Sequence, residues 1–330
     1  MSVKIGLLGC SSVAKKYFFP FIQLSELANI EIIGSRSLTK AREWARKYKC
    51  NQFGSYEDVI NSGVDAIYIT LPIGSHEQWA LKSANAGKHV LCEKSSTTSY
   101  ESAKNMVKTA RKNNVKILEA FSFRFHPQHE KIRELIANEI GQTHHFYGIY
   151  GFPPPLESDI RWQKELGGGV LNDVTCYPLC ASRFVFESEP VSVLSHLEFS
   201  DKFNVDKCVD IIVKYPGGKT AFISSGFNHY YQSKYSVWGS EGRITTQRAY
   251  AVPRDYKTSV YLDKHDIQSE TVIPLADQYA IMFDIFCNVI TNRIKMPFNF
   301  ENDLLEQAKL MESVRISGRE QRLVPLSEIT

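Results

Sequence analysis

The chain has 330 residues, 43% of them hydrophobic and 12% aromatic, and its formal net charge is +3. That length favours two domains, and the near-balanced charge argues against a polyanionic partner, so no nucleic acid is expected. No apolar run reaches membrane-spanning length, no signal peptide precedes the first strand, and seven scattered cysteines without C-x-x-C spacing suit reduced thiols; a cytoplasmic protein with no membrane attachment, metal site or disulfide framework is expected.

Apolar run Val3–Leu8 reads as a strand entering Gly9-Cys10-Ser11-Ser12-Val13-Ala14 and a helix to about Leu27. The turn has the form G-x-S-x-x-A, one residue from the dinucleotide fingerprint G-x-G-x-x-G/A. In that fingerprint the first glycine makes the tight turn, the second admits the pyrophosphate and the third small residue lets helix and strand pack. Gly9, Ser11, Ser12 and Val13 are therefore candidates to hold a pyrophosphate at a helix N-terminus. Ser11 crowds the place of the second glycine, although its hydroxyl could donate to a phosphate. A plain strand–turn–helix corner would carry the same residues.

Strand Ile30–Gly34 ends in Ser35-Arg36-Ser37. No acid lies between Glu31 and Glu43, while Arg36 and Lys40 are cationic. An acid near this point suits the 2′-hydroxyl of NAD and an Arg the 2′-phosphate of NADP. The residues favour NADP, with NAD as the alternative; an ordinary solvated basic turn would look alike.

The alternation continues with helix Leu38–Lys49, an edge strand at 51–53, helix Tyr56–Ser62 and the nearly all-apolar strand Asp65–Thr70. That strand runs into Leu71-Pro72-Ile73-Gly74-Ser75-His76 before helix Glu77–Ala86. Strand His89–Cys92, the pair Glu93-Lys94, helix Tyr100–Asn113 and strand Lys116–Ala120 complete the set. Repeated βα units with short connections predict a doubly wound parallel sheet. Its strand C-termini at Gly9, Ser35, Leu71, Glu93 and Ala120 should share the ligand-binding edge.

Beyond Phe121–Pro127 the pattern changes. Helix Gln128–Asn138 leads to strand Thr143–Tyr150, a Pro-rich loop and Gly167-Gly168-Gly169. Period-two strands follow at Val191–Phe199, Cys208–Tyr215, Lys219–Phe227, Tyr235–Trp238, Arg243–Tyr250, Val260–Leu262 and Glu270–Ile273. They predict a large, mostly antiparallel open sheet with helices on one face. Helices Asp277–Thr291 and Glu301–Ser317 are expected to fold back over the sheet or the first domain. The expected domains are 1–122, for a dinucleotide, and 123–330, for substrate and oligomerisation.

Gly87-Lys88-His89-Val90-Leu91-Cys92-Glu93-Lys94, Arg124-Phe125-His126-Pro127, Gly167–Tyr177 and Trp238–Ile244 together make the chain resemble the glucose–fructose oxidoreductase / inositol dehydrogenase (Gfo/Idh/MocA) family. The family signature G-K-H-V-x-x-E-K-P is matched through Lys94, and G-G-G-x-L-x-D-x-x-x-Y from Gly167 to Tyr177. The resemblance implies a Rossmann domain followed by an α/β domain whose open sheet mediates dimer or tetramer formation. It also implies hydride transfer between NAD(P) and a sugar or cyclic polyol. Lys94 matches the family's active-site Lys, Asp173 the Asp of the second motif and Tyr177 its acid/base position. His76 matches a position near the cofactor, and Arg124, Arg161 and Trp162 are expected at the interdomain cleft, with Glu93 beside Lys94. Ser95 departs from the family's proline, and a residue other than proline favours a trans bond after Lys94.

Oxidising a secondary alcohol, or reducing its ketone, needs a group that moves the hydroxyl proton and a charge that steadies the oxyanion. Tyr177 and Lys94 are of those types, and Asp173 lies one helical turn from Tyr177. The sequence therefore points to an NAD(P)-dependent dehydrogenase or ketoreductase acting on a sugar, such as C3 of a nucleotide-linked hexose. An aldose or dihydrodiol dehydrogenase is the alternative within the class. A dinucleotide-binding regulator without turnover is the alternative outside it.

Overall fold

The computed structural model describes residues 2–330. The chain divides into two compact units: one comprises residues up to Phe121 with Tyr279–Leu305, the other Ser122–Gln278 with Glu306–Thr330.

The first unit holds strands β1 (Val3–Leu8), β2 (Ala28–Gly34), β3 (Gln52–Gly54), β4 (Ala66–Ile69), β5 (His89–Cys92) and β6 (Ile117–Glu119). They form an all-parallel sheet in the order β3-β2-β1-β4-β5-β6. This is the doubly wound order in which strand succession reverses beside β1. Every residue of β4 is buried, as a strand covered on both faces requires, and each large aliphatic side chain so buried contributes about 1.5–3 kcal/mol.

The first connection is shorter than its helical pattern predicts. A π-helical turn, Ala14–Phe18, passes into helix α1 (Phe19–Ile22), and the helix stops there rather than at Leu27. The Ser25 hydroxyl accepts the Leu27 and Ala28 N–H groups, turning the chain into β2 before another helical turn can form. Helices α2 (Leu38–Lys47), α3 (Tyr56–Ile60), α4 (His76–Asn85) and α5 (Tyr100–Lys112) fill the later connections. Within the same unit Tyr279 stacks on Tyr17 at 3.9 Å, and Phe283 packs against Phe18, Phe21 and Tyr68.

The second unit contains α6 (Pro127–Asn138), β7 (Thr143–Phe152), α7 (Cys176–Phe186), β8 (Ser192–Phe199), β9 (Asp206–Lys214), β10 (Thr220–Phe227), β11 (Gln232–Gly239), β12 (Arg243–Thr246), β13 (Thr258–Lys264) and β14 (Ile267–Ile273). Helices α8 (Gln278–Ile290) and α9 (Phe300–Glu320) and the short strand β15 (Val324–Pro325) end the chain. The nine-stranded sheet runs β14-β13-β12-β11-β7-β10-β9-β8-β15, antiparallel except for the β7–β10 pair. Helices α6 and α7 pack on one face. On the other face Tyr147 stacks on Phe222 at 5.2 Å, and Leu194 and Trp238 are exposed.

β12 ends at Thr246, four residues before the predicted strand end. The Thr246 hydroxyl donates to Gln128 Oε1, and the carbonyls of Arg248 and Ala249 are taken by Gln128 and His129. Main-chain groups that would continue the ladder are thus bound by a helix.

Candidate active site

In the first unit the strand ends are zipped together. Gly9 N–H donates to the Gly34 carbonyl, Thr70 N–H to Leu8, Glu93 N–H to Ile69 and Ala120 N–H to Cys92. Gly9, Leu71, Glu93 and Ala120 therefore line one sheet edge. Gly9 has φ +105°, and a Cβ there would meet Leu71 Cδ2 at 2.9 Å and Thr70 Oγ1 at 3.0 Å, so the tight turn admits only glycine. Ser11 Oγ accepts the Ala14 N–H at 3.1 Å, which makes it a cap for the turn that follows and leaves its own O–H available as a donor. Ser12 is exposed and Val13 half-buried.

At the end of β2, buried Ser35 accepts the Ser37 N–H at 3.2 Å, while Arg36 and Lys40 are exposed. Ser37 in turn caps α2 through the Lys40 N–H. The Tyr56 hydroxyl lies against Arg36, a neighbour with no sequence signal.

Glu93 is buried, and its carboxylate accepts the Tyr68 hydroxyl. Burial pushes its pKa up to about 7, opposed by the Tyr68 hydrogen bond and the Lys94 charge. Half-buried Lys94 joins Ser95 through a cis bond, a point on which the sequence leaves both forms open. The segment is held in place from two sides. The Ser95 carbonyl lies 3.0 Å from His76 Nδ1, and the Ser96 N–H donates to buried Glu119 at 2.7 Å. His76 also lies 2.7 Å from the Leu71 carbonyl through Nε2. Burial outweighs those two contacts and drives its pKa down to about 4. His76 thus ties the Leu71-Pro72 turn to the segment after Lys94.

In the second unit, the π-helical turn Leu171–Thr175 leads straight into α7, so Asp173 and Tyr177 lie on continuous helix. Half-buried Asp206 accepts the Leu171 N–H, and a Cβ on Gly169 (φ +107°) would collide with that carboxylate. A Cβ on Gly168 would collide with the Arg161 carbonyl. The glycine run thus lets Asp206 and the 161–163 loop approach the start of the helix. Asp206 gave no sequence signal, because its partner is a main-chain group 35 residues away.

Arg161 is braced by acids: Nε meets Asp173 Oδ2 at 2.6 Å, and Nη1 lies 3.2 Å from Asp159. Trp162 stacks on Phe203 at 4.8 Å and donates to the Pro155 carbonyl. Arg124 lies over Phe184. His126 caps α6 through Nδ1, and burial lowers its pKa to about 4. Tyr177 is buried among Phe123, Tyr150 and Tyr250, with ring centroids 5.4–5.8 Å away. Of the second-unit residues singled out from sequence, the structure directly joins Asp173 with Arg161. Among the described residues no cluster of His, Cys, Asp or Glu could hold a metal ion, and no helix is long and apolar enough to cross a membrane.

Comparison with known proteins agrees with this architecture. The family model described as an oxidoreductase family with an NAD-binding Rossmann fold matches residues 3–121, and the GFO/IDH/MocA C-terminal domain matches residues 129–245. A dTDP-3,4-didehydro-2,6-dideoxy-alpha-D-glucose 3-reductase of Saccharopolyspora spinosa is 32% identical over 94% of this chain and 96% of the relative. A D-xylose 1-dehydrogenase (NADP(+)) of Haloferax volcanii is 31% identical over 86% of this chain and 88% of the relative. The crystal structure of KijD10, a 3-ketoreductase from Actinomadura kijaniata in complex with NADP and TDP-benzene, superposes with a TM-score of 0.92 at 28% identity, covering 96% of this chain and 98% of that one. The parallel sheet with its Gly9 turn, the open nine-stranded sheet and similarity along nearly the whole length establish that the chain belongs to the Gfo/Idh/MocA family of oxidoreductases.

Proposed function

We propose that the protein is an NADP-dependent ketoreductase acting at C3 of a nucleotide-linked deoxyhexose. The observation that carries this reading is its end-to-end similarity to dTDP-sugar 3-reductases, combined with a Tyr at position 177 and a Lys at 94. Residues 1–122, with Tyr279–Leu305 packed in the same unit, are assigned to the dinucleotide and the rest of 123–330 to the substrate.

The first unit suits the cofactor. Its Gly9 turn is closed to a Cβ, Ser11 retains a donor O–H, and Arg36 and Lys40 offer cations with no acid at the end of β2. Gly9, Ser11, Ser12 and Val13 would take the pyrophosphate, Ser35, Arg36 and Lys40 the 2′-phosphate, and Leu71, Pro72, His76 and Glu93 the nicotinamide half. Arg124, Arg161 and Trp162 complete the assignment. The cofactor, bound as NADPH, would supply the hydride for ketone reduction and, as NADP, would accept it in the reverse direction. The Tyr177 hydroxyl gives its proton to the carbonyl oxygen as the carbon is reduced, and takes it back from the alcohol in the reverse direction. The Lys94 ammonium stabilises the developing oxyanion. Asp173 holds Arg161 and so fixes the loop before Tyr177.

Lys94→Ala and Tyr177→Phe should each lower kcat by about 100-fold or more while NADPH still binds, as measured by fluorescence titration. Near-wild-type turnover in both variants contradicts the assignment. The similarity to a D-xylose dehydrogenase favours a second reading, oxidation of a free aldose. All seven cysteines are free thiols, which supports a reducing, cytoplasmic setting. The apolar open face of the large sheet, with a groove of about 550 Å³ lined by Tyr147, Ile149, Leu194, Ile212 and Phe222, supports pairing with a second copy of this chain.

A further inference from the structure

A nucleotide-linked sugar carries a diphosphate, and its enzyme needs a cation that is not already neutralised. In the second unit Arg161 fails that requirement, because its guanidinium is shared between Asp159 and Asp173. Lys202 is paired with Glu157. Arg248 is different. Its guanidinium lies 4.8 Å from the Tyr231 ring centroid and 5.3 Å from that of Tyr256. Among the described residues it has no carboxylate partner. Aromatic faces hold a guanidinium by cation–π attraction without consuming its N–H donors, and a planar Arg fork matches phosphate oxygens.

The main chain beneath Arg248 is unusually fixed. Buried Gln128 donates to the carbonyls of Arg248 and Ala249, His129 Nε2 lies 3.0 Å from the Ala249 carbonyl, and the Ala249 N–H donates to Ser233. Burial pushes the His129 pKa down to about 3, so the ring is neutral and its Nε2–H donates to that carbonyl. Its Nδ1 then accepts the Tyr235 hydroxyl at 2.7 Å. Two residues on, Tyr250 packs 5.8 Å from Tyr177. A half-buried cation with open donors therefore stands on a rigid segment that also reaches the ring assigned to proton transfer. The Pro253–Tyr256 turn places Tyr256, and Arg254 and Lys257 beside it add positive charge, with Asp255 as the one opposing acid in that stretch.

We infer that Arg248, framed by Tyr231 and Tyr256, binds the diphosphate of the substrate; this rests on the nucleotide-sugar reading above. Thymidine diphosphate, titrated calorimetrically into the full chain with NADPH present, is the probe. Wild type should bind it, Arg248→Gln should bind about tenfold more weakly or worse, and Arg248→Lys should fall between. NADPH affinity should stay within about twofold in both variants, which also reports a folded protein. Equal binding of thymidine diphosphate by wild type and Arg248→Gln overturns the inference and leaves the nucleotide-sugar reading standing. A parallel loss of NADPH affinity assigns Arg248 to the cofactor instead and overturns it as well. Failure of wild type to bind either thymidine or uridine diphosphate removes the nucleotide-linked reading itself.

Discussion

Glu93 shows how one residue's chemistry is set by its surroundings. Its neighbour Lys94 is legible as the family's active-site Lys. The partner that matters to Glu93, however, is Tyr68, a hydroxyl inside an otherwise apolar buried strand. Burial holds the carboxyl neutral up to a pKa of about 7, so over the neutral range Lys94 gains a carboxylate neighbour as pH rises. A pH profile of kcat/KM should therefore show an inflection near 7 that disappears in Glu93→Gln. In Tyr68→Phe the inflection should move to higher pH, because the Tyr68 hydrogen bond favours the ionised form. Persistence of the inflection in Glu93→Gln would exclude Glu93 as its source. The bond after Lys94 illustrates the opposite case. Ser95 alone favours trans, whereas the segment is placed by His76 and Glu119, contacts invisible to local propensity.

At the scale of elements, the parallel strands and most helices are legible because apolar runs and their turn residues are local signals. The differences arise where a distant side chain takes a main-chain group. Ser25 ends the first helical connection early, and Gln128 and His129 draw residues 248–249 out of the predicted strand. The open face of the large sheet follows the same division. Alternation along β7, β8, β10 and β11 marks which residues face outward, and Leu194 and Trp238 there are 41% and 51% exposed. Apolar residues this exposed on a continuous sheet face are suited to a partner surface. If that partner is a second copy, light scattering should give a mass of at least a dimer for wild type and a monomer for Leu194→Glu combined with Trp238→Glu, with the circular dichroism spectrum retained. A monomeric wild type would contradict the pairing.

At the scale of the molecule, the switch between βα alternation and period-two strands marks the passage from the first compact unit to the second, but not the return of Tyr279–Leu305 to the first. The site was legible only in part. Lys94, Asp173 and Tyr177 are marked by motif, while Tyr68, Asp206 and Arg248 became visible only once the fold was known, because their partners Glu93, Leu171 and Tyr231 lie 17 to 35 residues away in the chain. Asp173, grouped with the catalytic residues by motif, also holds Arg161 through its carboxylate, a contact the motif does not announce. The most direct test is the loss of reduced-nicotinamide absorbance, with NADPH and NADH in turn, when the enzyme meets a dTDP-linked 3-keto-2,6-dideoxyhexose or free keto-sugars, compared with the gain of that absorbance on D-xylose oxidation with NADP and NAD. Rapid NADPH oxidation on the nucleotide-linked substrate, with NADH and the free sugars slower by about tenfold or more, is the expected result. Turnover confined to free sugars, or NADPH binding without turnover on any substrate, would contradict it.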